Sequence, residues 1–570
     1  MKRLLSGLAA FTLIASTATS AVACQKKDKG YVLPELNEEK YTNMFHVQNP
    51  TQGMMNDIQG GFYDEKNDLW HIYFLQNAEG RFDKYGYNHG GFGSIWYHVT
   101  TRDFVNWEYH GPAVPNIEHY SDSSSGSFYV DVDDNFGYQQ QAKDNGFDNA
   151  IIAIPCSYSD YGQTMMMYYS IDGGYTFLPI KDTAVLVNPN EKENGGNFRD
   201  PYFFTSKDSE GNTKYIIYMA EQNYFGVYVS DKPTEGYKRV GKVTARYPKF
   251  ECPNLYQMNV TDENGKIEQK WVMFYGGVGS DGKQENDPAL SFGTYYAVGH
   301  LDENFVFVEE NPGPMKRIDF GPDYYGANFW KKSFVNTNVD SLYTVGWINS
   351  WDYNWSTPND GRLGIMSLVR EISLKKNGND YSFETNFVNF WDEDKVDTNL
   401  PKGVSTVSEL KNNNTVEVAK KQTGTTTNEE KFLEKNGYDG KTFKLDLDLN
   451  KLSNQDSANV KIGDDKYNVA LTLDFKNNTV SVKRKQDYKF AMGQNEFNAT
   501  RTYKTNLDLN AKLEVFIDRN VVEYKFPDGK VFTMLKYPIG AQEEELSVSS
   551  TNNSEISFDY YQLQWKPRTK

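Results

Sequence analysis

Three acidic residues stand in similar surroundings far apart in the chain: Asp57 in Met54-Met55-Asn56-Asp57-Ile58-Gln59-Gly60, Asp200 in Arg199-Asp200-Pro201, and Glu251 in Glu251-Cys252-Pro253. Each lies on a short turn-forming stretch that runs into an aromatic strand. Two further strand starts, Ser125-Gly126-Ser127-Phe128-Tyr129 and Tyr325-Gly326-Ala327-Asn328-Phe329, share that grammar without the acid. Carboxylates gathered among amides and aromatic rings, in a chain without metal-ligand Cys or His spacing, suit sugar chemistry. One carboxylate attacks and one carboxylic acid protonates the leaving oxygen. Burial or a second negative charge keeps that acid protonated, and a third carboxylate holds hydroxyls and stabilises positive charge. Singly, each motif is an ordinary turn; three at equivalent positions of a repeat make a site.

The elements that must position these residues are strands. Residues 40–395 read as short aromatic strands between Gly, Asn and Asp turns. A second repeat interleaves with the first: Tyr97-His98-Val99-Thr100-Thr101-Arg102-Asp103, Tyr168-Tyr169-Ser170-Ile171-Asp172, Val227-Tyr228-Val229-Ser230-Asp231 and Tyr296-Ala297-Val298-Gly299-His300-Leu301-Asp302 each end on an acidic turn before another aromatic strand. The period of very roughly 50–75 residues leaves room for about four strands per unit, which is a β-propeller blade. Five strand starts then predict an all-β chain with a five-bladed β-propeller, whose innermost strands carry Asp57, Asp200 and Glu251 to one end. Residues 396–430 read as a linker and the start of a second domain. Over 431–570, period-2 strands such as Phe443-Lys444-Leu445-Asp446-Leu447-Asp448-Leu449 predict a C-terminal β-sandwich.

The 570 residues are long enough for two large cores, and 15% of them are aromatic. A net charge of -17 excludes the basic footprint that nucleic acid requires. Residues 1–23 read as a lipoprotein signal peptide: Lys2-Arg3, an apolar run from Leu4 to Ile14, then Ala21-Val22-Ala23-Cys24. The mature chain is expected to start at a lipidated Cys24, the membrane contact, with 24–39 as a tether and an extracellular address. Beyond it only Cys156 and Cys252 remain, too few for a disulfide framework.

In order and separation these motifs resemble glycoside hydrolase family 32, the β-fructosidases, over nearly the whole mature chain. The nucleophile box, Arg-Asp-Pro, Glu-Cys-Pro and Ser-Gly-Ser are as quoted above. The stretch from Asp319 to Ala327, Gly346-Trp347-Ile348-Asn349-Ser350-Trp351, and Val515-Phe516-Ile517-Asp518-Arg519-Asn520-Val521-Val522-Glu523 match later family motifs. The resemblance implies that Asp57 attacks C2 of a fructosyl unit, Glu251 is general acid and then base, and Asp200 stabilises the transition state. Asn56, Gln59, Asn77, Ser127, Arg199 and Trp351 are the substrate-binding residues expected with them, and Trp96 and Trp355 are further aromatic platforms. The resemblance implies a fructan or fructo-oligosaccharide substrate, and neither metal nor organic cofactor. Ile58-Gln59 replaces the box's Pro-Asn, and Leu75 stands where many invertases and exo-fructanases keep a Gln that grips a terminal fructose. Those departures favour a levanase cutting inside β-2,6-fructan. An exo-β-fructosidase or invertase, a fructosyltransferase, and a non-catalytic carbohydrate-binding lipoprotein are the alternatives.

Overall fold

The computed structural model describes residues 38–77, 93–160, 162–244, 250–262, 265–278, 292–313, 315–333, 339–388, 407–429, 432, 440–487, 489–490, 492–537 and 545–568. The expected signal peptide, Cys24 and nearly all of the tether lie outside them. The described chain is nearly all β.

Five strands organise the first part: β1 (Gly53–Asp64), β2 (Asp122–Asp131), β3 (Arg199–Lys207), β4 (Phe250–Thr261) and β5 (Tyr325–Trp330). Each begins an antiparallel run. β1 is followed by Leu69–Asn77, Ile95–Thr101 and Glu108–Val114; β3 by Thr213–Glu221, Tyr224–Ser230 and Lys238–Thr244. The runs behind β4 and β5 merge into one ten-stranded sheet, because Thr261 at the end of β4 meets Lys375 in parallel. Apolar residues fill both faces of the inner strands: every residue of β5 is buried. At the outer edge the pattern reverts to alternation, and in Lys238–Thr244 the exposed positions are Lys238, Val240, Lys242 and Thr244, with two lysines that discourage edge-to-edge pairing. Around the first part, β1 packs on β2, β2 on β3, β3 on β4, β4 on β5 and β5 on β1. The short strand Arg362–Leu363 also adds to β1 in parallel, Gly53 opposite Arg362.

All five strands carry the same irregularity near their start. Between Met55 and Ile58, Ser123 and Gly126, Arg199 and Tyr202, Glu251 and Asn254, and Tyr325 and Asn328, two residues face one on the neighbouring strand. These are β-bulges, which bend a strand and re-aim its side chains. In three of them the first extra residue is left-handed: Asp200 (φ 55°), Cys252 (φ 52°) and Gly326 (φ 51°).

The second part stacks two six-stranded sheets over one core. Phe443, Leu445, Val515 and Tyr560 from one sheet meet Val460, Leu471, Val482 and Val548 from the other. Within the stretch read as a linker, Val407–Asn413 is a helix and Asn414–Thr426 is already a strand of this unit, paired with Ile556–Pro567. One edge of the first of these sheets is β7 (Val531–Leu535), preceded by β6 (Val521–Lys525), and both contact the first part.

Candidate active site

The bulges deliver the acids to one another. Asp57 is the second bulge residue of β1 and is only 9% exposed. Its Oδ2 accepts a hydrogen bond from Ser125 Oγ at 2.7 Å, from the bulge of β2. Its Oδ1 is buried without a hydrogen-bond partner among the described residues. Gly326, in the bulge of β5, lies against that oxygen, and a Cβ there would stand 2.3 Å from it. Gln59 fixes the backbone beneath: Nε2 donates to the Asp57 carbonyl and Oε1 accepts from Gly126 N, both at 2.8 Å.

Asp200 is the first bulge residue of β3. Its Oδ2 accepts from Cys252 N at 3.1 Å, and the Cys252 thiol lies 3.7 Å from that oxygen and 3.8 Å from Asp57 Oδ2. Glu251 immediately precedes the bulge of β4. Arg199 Nη2 donates to its Oε1 at 2.6 Å and Tyr325 OH to its Oε2 at 2.5 Å. Arg199 Nη1 is held by Asn197 Oδ1 at 2.8 Å.

Arg199 thus pairs with Glu251 at 2.6 Å and lies 4.0 Å from Asp200, in a place where charge is poorly solvated. Burial, then the charge of Glu251, raise Asp57 to about 6 against the hydrogen bonds of Ser125, Asn56 and Cys252. Burial raises Asp200 to about 7; Arg199 opposes the rise, and Glu251 and Asp57 add to it. Burial and then the neighbouring carboxylates also push the Cys252 thiol well up, so it stays a neutral donor. Asp57 and Asp200 are therefore held above the ordinary carboxylate range by burial and by their acidic neighbours, a perturbation typical of functional sites.

Asp57, Asp200, Glu251 and Arg199 come together, and half-buried Asn56 adjoins them. Gln59 is fully buried and braces the two backbones. Ser127 Oγ accepts from Phe203 N at 3.2 Å and so joins β2 to β3; Ser125 is the serine on the acid. Asn77 pairs across the sheet with Met54, and its Oδ1 has no hydrogen-bond partner among the described residues. Trp351 is half-buried, its ring 4.9 Å from that of Trp347 and 6.4 Å from that of Trp355, beside Tyr325. Trp96 is no platform: it is fully buried, and its Nε1 donates to Ser124 O at 3.0 Å. Leu75 packs in the apolar cluster of Trp96, Tyr73 and Phe62. Ser125, Cys252, Tyr325 and Gly326 escaped the sequence reading although all four lie in its motifs. Cys156 and Cys252 are both free thiols, and among the described residues no three His, Cys, Asp or Glu side chains form a metal-holding group.

The N-terminal domain model of glycosyl hydrolases family 32 matches residues 46–384, and the C-terminal model matches 406–563. The levanbiose-producing levanase of Geobacillus stearothermophilus is 30% identical over 322 residues, 55% of this chain and 72% of that one. A levanbiose-producing levanase of Bacillus subtilis is 28% identical, with 60% of each chain aligned. An invertase of Wickerhamomyces anomalus is 25% identical over 85% of this chain and 86% of its own. In fold, the exo-inulinase of Aspergillus awamori superposes with a TM-score of 0.69 at 21% identity, covering 92% of this chain and 99% of that one. With both family models matched in order, the chain belongs to glycoside hydrolase family 32.

Proposed function

We propose that this chain is a retaining β-fructosidase that cleaves fructans, with β-2,6-linked levan as the leading substrate. The observation that carries the chemistry is the meeting of Asp57, Asp200 and Glu251 at the bulges of three inner strands, with Arg199 on Glu251. In this reading Asp57 Oδ1, which lacks a hydrogen-bond donor, attacks C2 of the fructosyl unit. The glycosidic bond breaks as Glu251 gives its proton to the leaving oxygen. Water then attacks C2, returns a proton to Glu251 and releases Asp57 as a carboxylate. Asp200 and Arg199 hold the sugar hydroxyls while positive charge develops.

The first part would be a closed five-bladed propeller over 40–395, with the sandwich over 431–570 completed by the strand from 414. The cyclic packing of β1 to β5 and the five matching bulges support that reading. Levan is favoured by the apolar setting of Leu75, which leaves no amide there to grip a terminal fructose, and by the two levanases among the relatives. The invertase match over most of the chain favours an exo-acting β-fructosidase as the second reading. A lipid on Cys24 would hold the enzyme at the outer cell surface.

The test is to incubate the mature chain with levan, inulin and sucrose and resolve the products over time. Early short oligosaccharides from levan are expected. Free fructose from the start means the exo reading is right, and bound polymer with no product means a binding protein. Running the assay on membrane and medium fractions, for the wild type and Cys24→Ser, checks the anchor: the substitution should move activity to the medium.

A further inference from the structure

The nine residues from Asp319 to Ala327 join two things that lie in different domains. At one end, the segment is bound to β7 of the sandwich. Phe320 N donates to Val531 O at 3.0 Å, and Asp319 Oδ1 accepts from Thr533 N at 3.1 Å. Thr533 Oγ1 lies 2.8 Å from Asp319 Oδ2 and 3.0 Å from Glu523 Oε2. The backbones touch so closely that a Cβ on Gly321 would stand 2.0 Å from Thr533 O. Asp323 Oδ2 accepts from Leu535 N at 2.8 Å and from Arg484 Nη1 at 2.7 Å.

At the other end, Tyr325 OH reaches Glu251 and Gly326 abuts Asp57. One residue, Tyr324, lies between the last sandwich contact and Tyr325. It is clamped by the Arg370 guanidinium, 4.1 Å above its ring, and Arg370 is ion-paired with Asp319 and with Glu523 of β6, at 2.8 and 2.7 Å. All of these charged groups are fully buried. Two residues of backbone span less than about 7 Å, so a shift where Asp323 docks passes to Tyr325 with little slack.

We propose that Thr533, with Glu523 and Arg484, is a positioning element for the reaction: the sandwich sets the placement of Tyr325 on the acid and of Gly326 on the nucleophile. This rests on the assignment of Glu251 and Asp57 proposed above. A sandwich that served only stability would leave turnover by folded molecules untouched when its contacts to this segment are thinned.

Thr533→Val keeps shape and removes the hydroxyl; Thr533→Ser restores it. On the fructoside that the full wild-type chain cleaves best, Thr533→Val is expected to lower kcat about 10-fold per folded molecule, with KM within about twofold, because the loss lies in geometry at the reacting atoms. Thr533→Ser should return kcat to near the wild-type value. Unchanged kcat in folded Thr533→Val, or a loss that serine does not rescue, overturns the proposal. If the valine variant does not fold, Asp319→Asn is read the same way, and a kcat equal to wild type would falsify the idea. A wild-type chain that cleaves no fructoside fails the functional reading instead, and is seen before any variant is made.

Discussion

Ser125 and Ser127 stand two residues apart on one strand, and only the first meets Asp57. Strand periodicity puts such a pair on the same face, and the bulge between Ser123 and Gly126 breaks that rule at Ser125. The acids were legible because their types and neighbours are distinctive; the choice between two serines was not, since it depends on one inserted residue in a ladder. The Ser125 hydrogen bond favours the charged form of Asp57, whose value near 6 should set the acidic limb of kcat/KM. Ser125→Ala removes a charge-assisted bond, so Asp57 should rise further and that limb should move up by about one pH unit. A pH–rate profile of the two proteins checks this, and an unmoved limb would separate Asp57 from it.

Bulges are the elements that make the site, and no amino-acid pattern announced them. The repeat of turn, small residue and aromatic strand gave five starts correctly. It could not show that each start carries two residues against one, because a bulge has no required residue type. Gly326 is the case where chemistry does leave a mark: its φ of 51° favours glycine, and the 2.3 Å from its Cβ position to Asp57 Oδ1 demands it. Asp200 and Cys252 adopt the same backbone with side chains attached, a strain accepted where those side chains are needed. Gly326→Ala should cost about 1–2 kcal/mol in backbone conformation. By displacing Asp57, it should also lower kcat about 100-fold. Thermal unfolding and steady-state kinetics on one preparation measure both, and full activity in the variant would show that Asp57 tolerates displacement.

Across the whole molecule, the two parts meet through buried charge rather than an apolar seam alone. His46 sits between Asp518, 3.1 Å from Nδ1, and Glu523, 3.0 Å from Nε2, with all three side chains fully buried. Burial lowers the imidazole's proton affinity, but the two carboxylates outweigh it and the net shift is upward. A raised histidine contributes stability that is complete below its unfolded value of 6.5 and is lost as pH rises through the folded value. Asp518 is depressed to about 2, so its contribution is present above its unfolded value of 3.8 and is lost as pH falls toward 2. Asp57 and Asp200 act in the same direction but in a lower window: the folded state resists their ionisation, so their contribution falls as pH rises from 3.8 through about 6 and about 7 and is flat above that. The unfolding temperature should therefore fall as pH rises above about 6.5. His46→Gln should lower stability by about 3–5 kcal/mol at pH 6, as when one partner of a buried ion pair is removed, and should flatten that slope. Calorimetry from pH 5 to 9 compares the slopes; equal ones would mean that His46 is not charged in the interface. The sequence displayed the two domains through their change of texture, but not this joint. A histidine near one end and two acids near the other carry no local signal of contact.

The parallel pairing of Arg362 with Gly53, and the docking of the Met44 and Phe45 amides on Asp518, have a consequence for biosynthesis. The strand that bears Asp57 is made well before its partner, and its free edge stays open until about three hundred more residues have been made. Its leading segment waits longer still, for Asp518. Contacts of such long sequence separation form late and slowly, and an uncovered strand edge invites intermolecular pairing in the meantime. The first sheet must therefore be shielded from its neighbours until Arg362 and Asp518 have been made.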